Sequence, residues 1–295
     1  MLNCIAIPVY KEFNDLNPNE IASLNQLYKI LGKHTIFLIG SQDLNWQSYL
    51  AHAQSLNIFP HLKNFPGYYF QNIRGYNKLL ISKDFYQEFS EYQFLLLYQL
   101  DTWVFRDEFN MWCDKGYDYI GAPWTGLYEY DNEPLSGVGN GGFSLRSTKG
   151  AFKLLKRLRY YDVLEQYRYF NTKGLLPRLP VLFYKLFTAN SKPGRFESEY
   201  GWQEDIFWCR AAPKRLANFS CKSVILRILG NYLLRHNFKI APVEQATAFS
   251  FETEPADMYR INNGALPFGC HAWEKYDPGF WQQFIPISMD LPLSK

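Results

Sequence analysis

Acidic side chains at two places in the chain could carry chemistry. The first is Asp101, the single carboxylate in the otherwise mainly apolar run Leu95–Phe105. A short apolar run is typical of a strand buried on both faces in a parallel sheet. Ligands of open α/β sheets bind outside the carboxyl ends of the strands, so Asp101 is a candidate ligand-binding residue. An Asp after a strand also often caps the next turn, and the run alone fits both interpretations.

The second place is the adjacent pair Glu204 and Asp205, which opens an apolar, helix-like run between Trp202 and Trp208. Such carboxylates can serve as general acids or bases. The helix dipole also favours acidic residues in a first turn, which explains the pair without any chemistry. A late histidine, His271, is a further candidate, although a lone histidine in a loop is usually structural.

Glycines and cations suggest where a ligand could approach the backbone. Gly139, Gly141 and Gly142 permit close contacts that other residues forbid, but they also suit a plain tight turn. Arg74 and Lys78 lie near a predicted helix start, where backbone donors and the dipole favour a phosphate. Either cation could equally belong to a solvated helix face.

The elements around these residues indicate a parallel sheet. Cys4–Val9 and Thr35–Ile39 read as buried strands, and a helix between them is signalled by Asn17 as N-cap and Glu20 as its capping-box partner. A strand, a helix and a strand with short connections predict a βαβ unit. Tyr68–Phe70 is expected to form a third short strand.

Composition excludes several classes of protein. The chain has 295 residues, of which 47% are apolar and 18% aromatic, so it is not a disordered chain. A net charge of +3 is too small for nucleic-acid binding over the whole surface. Five scattered cysteines fit reduced thiols in the cytoplasm. We expect no signal peptide, because the start of the chain lacks a basic n-region and a small-residue cleavage site. We expect no membrane span, because no apolar run reaches about 18 residues.

Two segments are rich in basic residues, Arg146–Arg195 and Lys222–His236, with apolar residues interleaved. Basic amphipathic segments suit an anionic membrane surface or an acidic acceptor. A helical subdomain with a solvated basic face is the alternative.

The order of these signals resembles the GT-A fold of nucleotide-sugar glycosyltransferases. The likeness rests on the early βαβ half, Gln-Leu-Asp101, the Gly139–Gly142 loop, the Glu204–Asp205 pair and His271. The stretches 117–124 and 139–144 further look like those of glycosyltransferases from bacterial surface-polysaccharide loci. The resemblance implies an α/β fold with a Rossmann-type mixed, mainly parallel sheet, helices on both faces and a basic helical insertion. It implies one domain, 1–295, with a nucleotide-sugar-binding half, 1–125, and an acceptor-binding half, 126–295, in which the insertion covers about 149–240.

The resemblance also assigns roles to single residues. Asp205 matches the general base, Glu204 would orient the acceptor, and Asp101 and His271 would hold a metal ion. Donor-nucleotide contacts would come from Pro8, Tyr10, Lys11, Arg74, Asn77, Lys78 and Asp101, and acceptor contacts from Trp124, Gly141, Gly142 and Trp202. Thr102 and Trp103 follow Asp101, so the Asp-x-Asp motif of the family is incomplete. A single carboxylate can still suffice for Mn²⁺ or Mg²⁺ that takes its other ligands from phosphates and water.

The leading hypothesis is therefore an inverting glycosyltransferase of bacterial surface-polysaccharide synthesis. It would move a sugar from a nucleotide diphosphate sugar, such as a UDP-sugar, to a hydroxyl of a glycan or lipid-linked acceptor. It would be cytoplasmic, either free or peripheral on the inner face of the cytoplasmic membrane, and would not bind nucleic acid. A non-catalytic sugar-binding protein of polysaccharide assembly and a glycoside hydrolase that uses Glu204 or Asp205 as acid are the alternatives.

Overall fold

The computed structural model describes residues 2–125, 135–172, 179–189 and 203–286. Eleven strands lie in these residues. They are β1 Asn3–Pro8, β2 Thr35–Ser41, β3 His61–Phe65, β4 Phe94–Tyr98, β5 Thr102–Val104, β6 Tyr119–Ile120, β7 Pro123–Thr125, β8 Leu135–Val138, β9 Phe143–Ser147, β10 Ser250–Phe251 and β11 Gly269–His271.

The helices of the described residues surround these strands in sequence. They are α1 Pro18–Leu31, α2 Gln47–Ser55, α3 Ile73–Leu80, α4 Lys83–Glu88, α5 Phe109–Asp114, α6 Thr148–Thr172, α7 Leu179–Thr188, α8 Glu204–Ile206, α9 Ala212–Ala217, α10 Val224–Leu233, α11 Val243–Phe249, α12 Pro255–Ile261 and α13 Pro278–Trp281. A π-helical turn, Phe207–Ala211, joins α8 to α9. No helix of the described residues is both long and apolar enough to cross a bilayer.

The central sheet has six strands in the order β3-β2-β1-β4-β9-β6. The first four are parallel, and β9 runs antiparallel to both of its neighbours. Because β6 is antiparallel to β9, it shares the direction of the parallel group. The predicted mixed, mainly parallel α/β fold is confirmed, whereas the division into two halves at residue 125 stays a prediction.

The first βαβ unit follows the predicted local signals. The side chain of Asn17 accepts a hydrogen bond from the Glu20 amide, and Glu20 in turn accepts one from the Asn17 amide, both at 2.8 Å. This capping box starts α1, which packs Leu24, Leu27 and Leu31 into the core. The chain then enters β2, which pairs in parallel with β1.

One predicted strand differs from the observed structure. Tyr68–Phe70 is not a strand: residues Gly67–Tyr69 form a 3₁₀ turn, and the third strand is β3, which ends just before Pro66. Proline has no amide hydrogen for a sheet ladder and therefore ends the strand there. The strand predicted to end at Asp101 is observed as β4, which ends at Tyr98. A turn closed by a hydrogen bond from the Thr102 amide to the Gln99 carbonyl then joins it to β5.

That turn matters because it moves the chain from one sheet to another. The strand β4 lies in the central sheet, whereas β5 pairs antiparallel with β11 in a three-stranded sheet of order β10-β11-β5. Asp101 lies in the turn between β4 and β5, and the register pairs His271 with Thr102. Two residues 170 positions apart in the chain are therefore brought side by side by strand pairing.

Candidate active site

A cavity of about 580 Å³ lies beyond the carboxyl ends of β1 and β4. This is the edge of a parallel sheet at which α/β proteins bind ligands. The cavity is lined by Pro8, Tyr10, Glu20, Phe70, Gln71, Asn72, Ile73, Tyr76, Asn77, Gln99, Leu100, Asp101, Asn140, Gly141, Gly142, Gln203, Glu204, Asp205, Glu252 and His271. The fold thus brings Asp101, His271 and the Glu204–Asp205 pair into one site.

One wall of the cavity is a polar network centred on His271. Its Nε2 lies 3.2 Å from Oδ1 of Asp101 and 3.1 Å from Oε1 of Gln99. The amide nitrogen of Gln99 donates to the hydroxyl of Tyr76, which fixes the orientation of the Gln99 oxygen towards the imidazole. The Asp101 side chain is 44% exposed, so a ligand in the cavity can reach it.

A second carboxylate, Glu252, faces the other side of the same imidazole. Its Oε2 lies 3.2 Å from Nδ1 of His271. Burial would lower the pKa of His271, but the carboxylates of Glu252 and Asp101 outweigh it and raise that pKa well above its usual value. Burial would raise the pKa of Asp101, but His271 and further hydrogen bonds bring it below its usual value. The arrangement favours an ionised Asp101 at neutral pH.

Another wall contains Glu204, which is held by a buried arginine. Oε1 of Glu204 lies 2.7 Å from Nη2 of Arg146, and both side chains are at most 5% exposed. Burial raises the pKa of Glu204 to about 7, although Arg146 opposes the shift, and the neighbouring Asp205 adds to it. The second oxygen of Glu204, Oε2, is buried and has no hydrogen-bond partner among the described residues. A buried carboxylate oxygen without a partner is uncommon in folded proteins.

The role of Arg146 differs from the sequence-based interpretation, which grouped it with the basic segment Arg146–Arg195. In the structure it lies in β9, where it also donates to Ser144 Oγ and the Gly141 carbonyl and stacks over the Tyr119 ring. Arg146 is therefore no part of a solvated or membrane-facing surface. A charged residue in a buried strand needs a charged partner, and Glu204 provides it.

Asp205 is held by the backbone rather than by other side chains. Its Oδ2 accepts a hydrogen bond from the Asn140 amide at 2.9 Å, and its Oδ1 accepts one from the Ile206 amide at 2.8 Å. Asn140 has a positive φ of 55°, a conformation that asparagine tolerates better than most residues. These contacts fix the orientation of a nearly buried carboxylate in the wall of the cavity.

The glycine loop is explained by close approach of side chains from other elements. A Cβ atom at Gly141 would lie 1.7 Å from Oε1 of Glu204, and one at Gly142 would lie 2.0 Å from Nε2 of His271. Gly139 packs against Trp124 in the same way. The glycines thus allow Glu204 from one wall of the cavity and His271 from the other to contact the same short loop.

We expect Gly142→Ala to destabilise the protein by about 1–3 kcal/mol, because the added methyl displaces the imidazole of His271. Thermal unfolding of the purified variant measures this effect. Gly279→Ala is the matched control, since its Cβ would be in ordinary contact only, 3.5 Å from Asp277. An unfolding temperature for Gly142→Ala equal to that of the control would contradict the close packing.

The distances between donor atoms around His271 can be compared with the ligand spacing of an octahedral divalent cation. Neighbouring ligands of an octahedral cation with bonds of about 2.1 Å lie about 3 Å apart. The separations of Nε2 from Asp101 and Gln99, 3.2 and 3.1 Å, fit that spacing. Within the described residues no three His, Cys, Asp or Glu side chains form a metal site, and Gln99 is the neighbouring residue that could supply a third protein donor.

The residues assigned to the site from the sequence do not all line the cavity. Pro8, Tyr10 and Asn77 line the cavity, but Lys11, Arg74, Lys78 and Trp124 are not among its lining residues. Lys11 forms an ion pair with Glu20 at 2.7 Å. Trp124 supports the glycine loop from behind, with the Arg210 guanidinium 4.6 Å from its ring centroid. Trp202 lies outside the described residues.

Sequence reasoning missed several polar residues of the cavity. Gln99 stands two positions before Asp101 and could have been found as part of the same turn. Glu252 carries no local signal, because its proximity to His271 arises only from the parallel pairing of β10 with β11. Glu20 was recognised only as a capping residue, although it also lines the cavity.

Comparison with known proteins gives one family and several solved structures. No curated protein matches the sequence. Among solved structures, the glycosyltransferase GlyE of Streptococcus pneumoniae TIGR4 is 11% identical over 97% of this chain and 61% of its own, with a TM-score of 0.43. A glycosyltransferase involved in glycosylating the major capsid protein of PBCV-1 is 6% identical over 97% of this chain and 100% of its own, with a TM-score of 0.39.

A third structure, Staphylococcus aureus TarS 1–349 in complex with UDP-GlcNAc, is 12% identical over 51% of this chain and 46% of its own, with a TM-score of 0.31. The chain thus spans less than two thirds of the GlyE and TarS chains. The family model described as "Protein of unknown function (DUF5672)" matches residues 60–271, and this match includes β3 to β11 and every acidic wall residue of the cavity except Glu20. Because that match covers well over half of the sequence, the chain belongs to the DUF5672 family.

Proposed function

We propose that the protein is a glycosyltransferase that moves a sugar from a nucleotide diphosphate sugar to an acceptor hydroxyl. The observation that carries this proposal is the meeting of two separate acidic groups in one cavity at the carboxyl edge of a parallel sheet. One group is Asp101 with His271 and Glu252, and the other is Glu204 with Asp205. Sugar transfer needs both a site for the leaving diphosphate and a base for the acceptor.

The donor nucleotide would bind against the part of the cavity formed by α3 and the residues before it. Phe70 and Tyr76 offer aromatic surface, and Asn72 and Asn77 offer amide groups. Aromatic faces stack on bases, and amides can pair with base edges or ribose hydroxyls. Pro8 and Tyr10 extend this wall past the end of β1. A cavity of about 580 Å³ is within the usual range for a ligand of this size.

The leaving diphosphate would lie near Asp101 and His271. Negative charge grows on it as the bond to the sugar breaks, and few cationic side chains of the described residues line the cavity to offset that charge. Mn²⁺ or Mg²⁺ would neutralise this charge, held by Asp101, Gln99 and His271. Glu252 would orient the imidazole from its far side, as second carboxylates do for metal-binding histidines.

The acceptor hydroxyl would be activated by Asp205. The amides of Asn140 and Ile206 fix its carboxylate, while the adjacent Glu204 offers its free Oε2 to a second acceptor hydroxyl. A single base that faces the anomeric carbon opposite the leaving group gives inversion. We propose a glycan or a lipid-linked sugar of bacterial surface-polysaccharide synthesis as the acceptor, and a cytoplasmic reaction at the inner face of the membrane.

The test is a screen of nucleotide sugars that measures release of nucleoside diphosphate with and without acceptor mixtures. UDP-sugars come first, among them UDP-N-acetylglucosamine. Release that depends on Asp205 supports the proposal. Binding of oligosaccharides without any turnover would favour a non-catalytic sugar-binding protein, and release of free sugar from a glycoside without nucleotide would favour a hydrolase.

Removal of divalent cations is expected to abolish turnover, because no lysine or arginine among the described lining residues then offsets the charge of the diphosphate. Activity is measured after treatment with a chelator and again after addition of Mn²⁺ or Mg²⁺.

Glu252→Gln should raise the Mn²⁺ concentration needed for half-maximal activity about 10- to 100-fold. The control Glu254→Gln, at an exposed position two residues further on, should leave it unchanged. Full activity in chelator would exclude the proposed metal.

A further inference from the structure

Two helices outside the cavity expose large apolar side chains to solvent. On α7 these are Val181, Phe183, Tyr184 and Phe187, and on α10 they are Val224, Ile225, Ile228 and Tyr232. Phe187 is 88% exposed and Tyr232 is 82% exposed. Single exposed apolar residues are ordinary, but rows of them along two short helices indicate a surface that binds another apolar phase.

The exposed rows are not the faces that attach these helices to the protein. Leu182 and Leu186 of α7 are buried, and so are Leu226 and Gly230 of α10. Both helices pack against α6. Each helix is therefore apolar on its inner face and also over much of its outer face. A helix that is apolar all round is expected in a protein core or in contact with lipid.

The charges around these helices select between possible partners. In 179–189 and 218–239 there are five cations, Lys185, Lys222, Arg227, Arg235 and Lys239, and no Asp or Glu. Such a surface attracts the anionic headgroups of a lipid bilayer. A second copy of the chain would place like charges opposite one another, which opposes self-association.

A small basic cavity lies just beyond the end of α10. It has a volume of about 230 Å³, and its lining includes Lys149, Lys153, Arg157, His236 and Lys239. The acidic residue in its lining, Asp118, already accepts a hydrogen bond from the Lys239 amide. The cavity offers cationic donors of the kind that bind a phosphate group.

We propose that α7 and α10 form a membrane-binding surface that inserts its exposed apolar side chains into the headgroup region of an anionic bilayer. The mode of binding is that of interfacial amphipathic helices, which enter the bilayer by about 5–10 Å without crossing it. The surface lies outside the cavity and does not depend on the proposed transferase activity. It would keep the enzyme beside a lipid-linked acceptor.

Co-sedimentation of the full chain with vesicles tests this proposal. We expect binding to vesicles of phosphatidylcholine with phosphatidylglycerol, and much weaker binding to phosphatidylcholine alone. Because apolar insertion contributes, part of the binding should persist at 0.5 M salt, where the Debye length is roughly threefold shorter than at 0.05 M. The double variant Phe187→Ser with Tyr232→Ser should lower the partition coefficient about tenfold or more.

The matched control is Phe59→Ser, which removes a Phe that is 73% exposed between α2 and β3. It should bind vesicles as the wild type does. All of these side chains are exposed, so the variants should unfold at the wild-type temperature.

Absence of vesicle binding by the wild type, or equal binding by the double variant, would overturn the proposal. The proposal would also be overturned if the wild type were a dimer in solution and the double variant a monomer. The exposed side chains of α7 and α10 would then form a dimer interface. Nucleoside diphosphate release in detergent-free solution tests the transferase function separately.

Discussion

Asp205→Asn is expected to lower the rate of nucleoside diphosphate release about 100- to 10,000-fold, the usual contribution of a general base. Asparagine keeps the size of the side chain and one accepting oxygen, which can still bind the Asn140 amide. It cannot take a proton from the acceptor hydroxyl. The turnover number and the KM for the donor are measured with the sugar nucleotide found by the screen. The turnover number should fall while the KM stays near its wild-type value, because Asp205 acts on the acceptor.

Asp257→Asn is the control, since this carboxylate pairs with Arg260 on α12 and does not line the cavity. It should keep the wild-type rate. If Asp205→Asn kept at least a third of the wild-type turnover and remained folded, Asp205 could not be the base. Glu204 would then be the carboxylate to examine, because its pKa of about 7 lies close to the operating pH.

The parts of the fold that short sequence patterns specify were predictable. The capping box at Asn17 and Glu20 needs only four consecutive positions, and the apolar runs of β1 and β2 need only burial on both faces. Asp101 was predictable for a similar reason, because a carboxylate after a buried strand lies at the carboxyl edge of the sheet. Each of these features is fixed by fewer than about fifteen residues of chain.

The remaining part of the site was not predictable, because it depends on contacts between distant segments. Glu252 faces His271 through the pairing of β10 with β11, and nothing in the local sequence predicts that pairing. The roles of the cationic candidates stay predictions. Lys11, Arg74 and Lys78 are not among the lining residues of the cavity, and local sequence does not determine whether a long side chain reaches into it.

Arg146 shows the same limit most clearly. In the sequence it stands at the head of a basic segment and is expected on a surface. In the structure it is 1% exposed and lies 2.7 Å from Glu204, which is 58 positions away. The ion pair therefore connects β9 of the central sheet to the start of α8. It holds both Glu204 and the Gly141 carbonyl at the cavity wall.

Arg146→Met is expected to lower the free energy of unfolding by about 3–5 kcal/mol, because it leaves the buried Glu204 carboxylate without its partner. Methionine has a similar volume and cannot donate hydrogen bonds. The unfolding temperature at pH 8 should fall by more than about 6 °C. Arg157→Met is the control, since this arginine is only partly buried and its guanidinium donates to backbone carbonyls.

The double variant Arg146→Met with Glu204→Gln separates the charge effect from lost packing. With no charge left in the pair, it should recover part of the stability that Arg146→Met loses.

The stability loss caused by the single variant Arg146→Met should also depend on pH. Without the guanidinium, which lowers the pKa of Glu204, that pKa rises further above its unfolded value of about 4.5. A carboxyl with a raised folded pKa stabilises at low pH and loses this contribution as the pH rises through that value. The loss caused by Arg146→Met should therefore be smaller at pH 5 than at pH 8. A loss that is equal at both pH values and unchanged in the double variant would mean that Arg146 supports the cavity wall by packing alone.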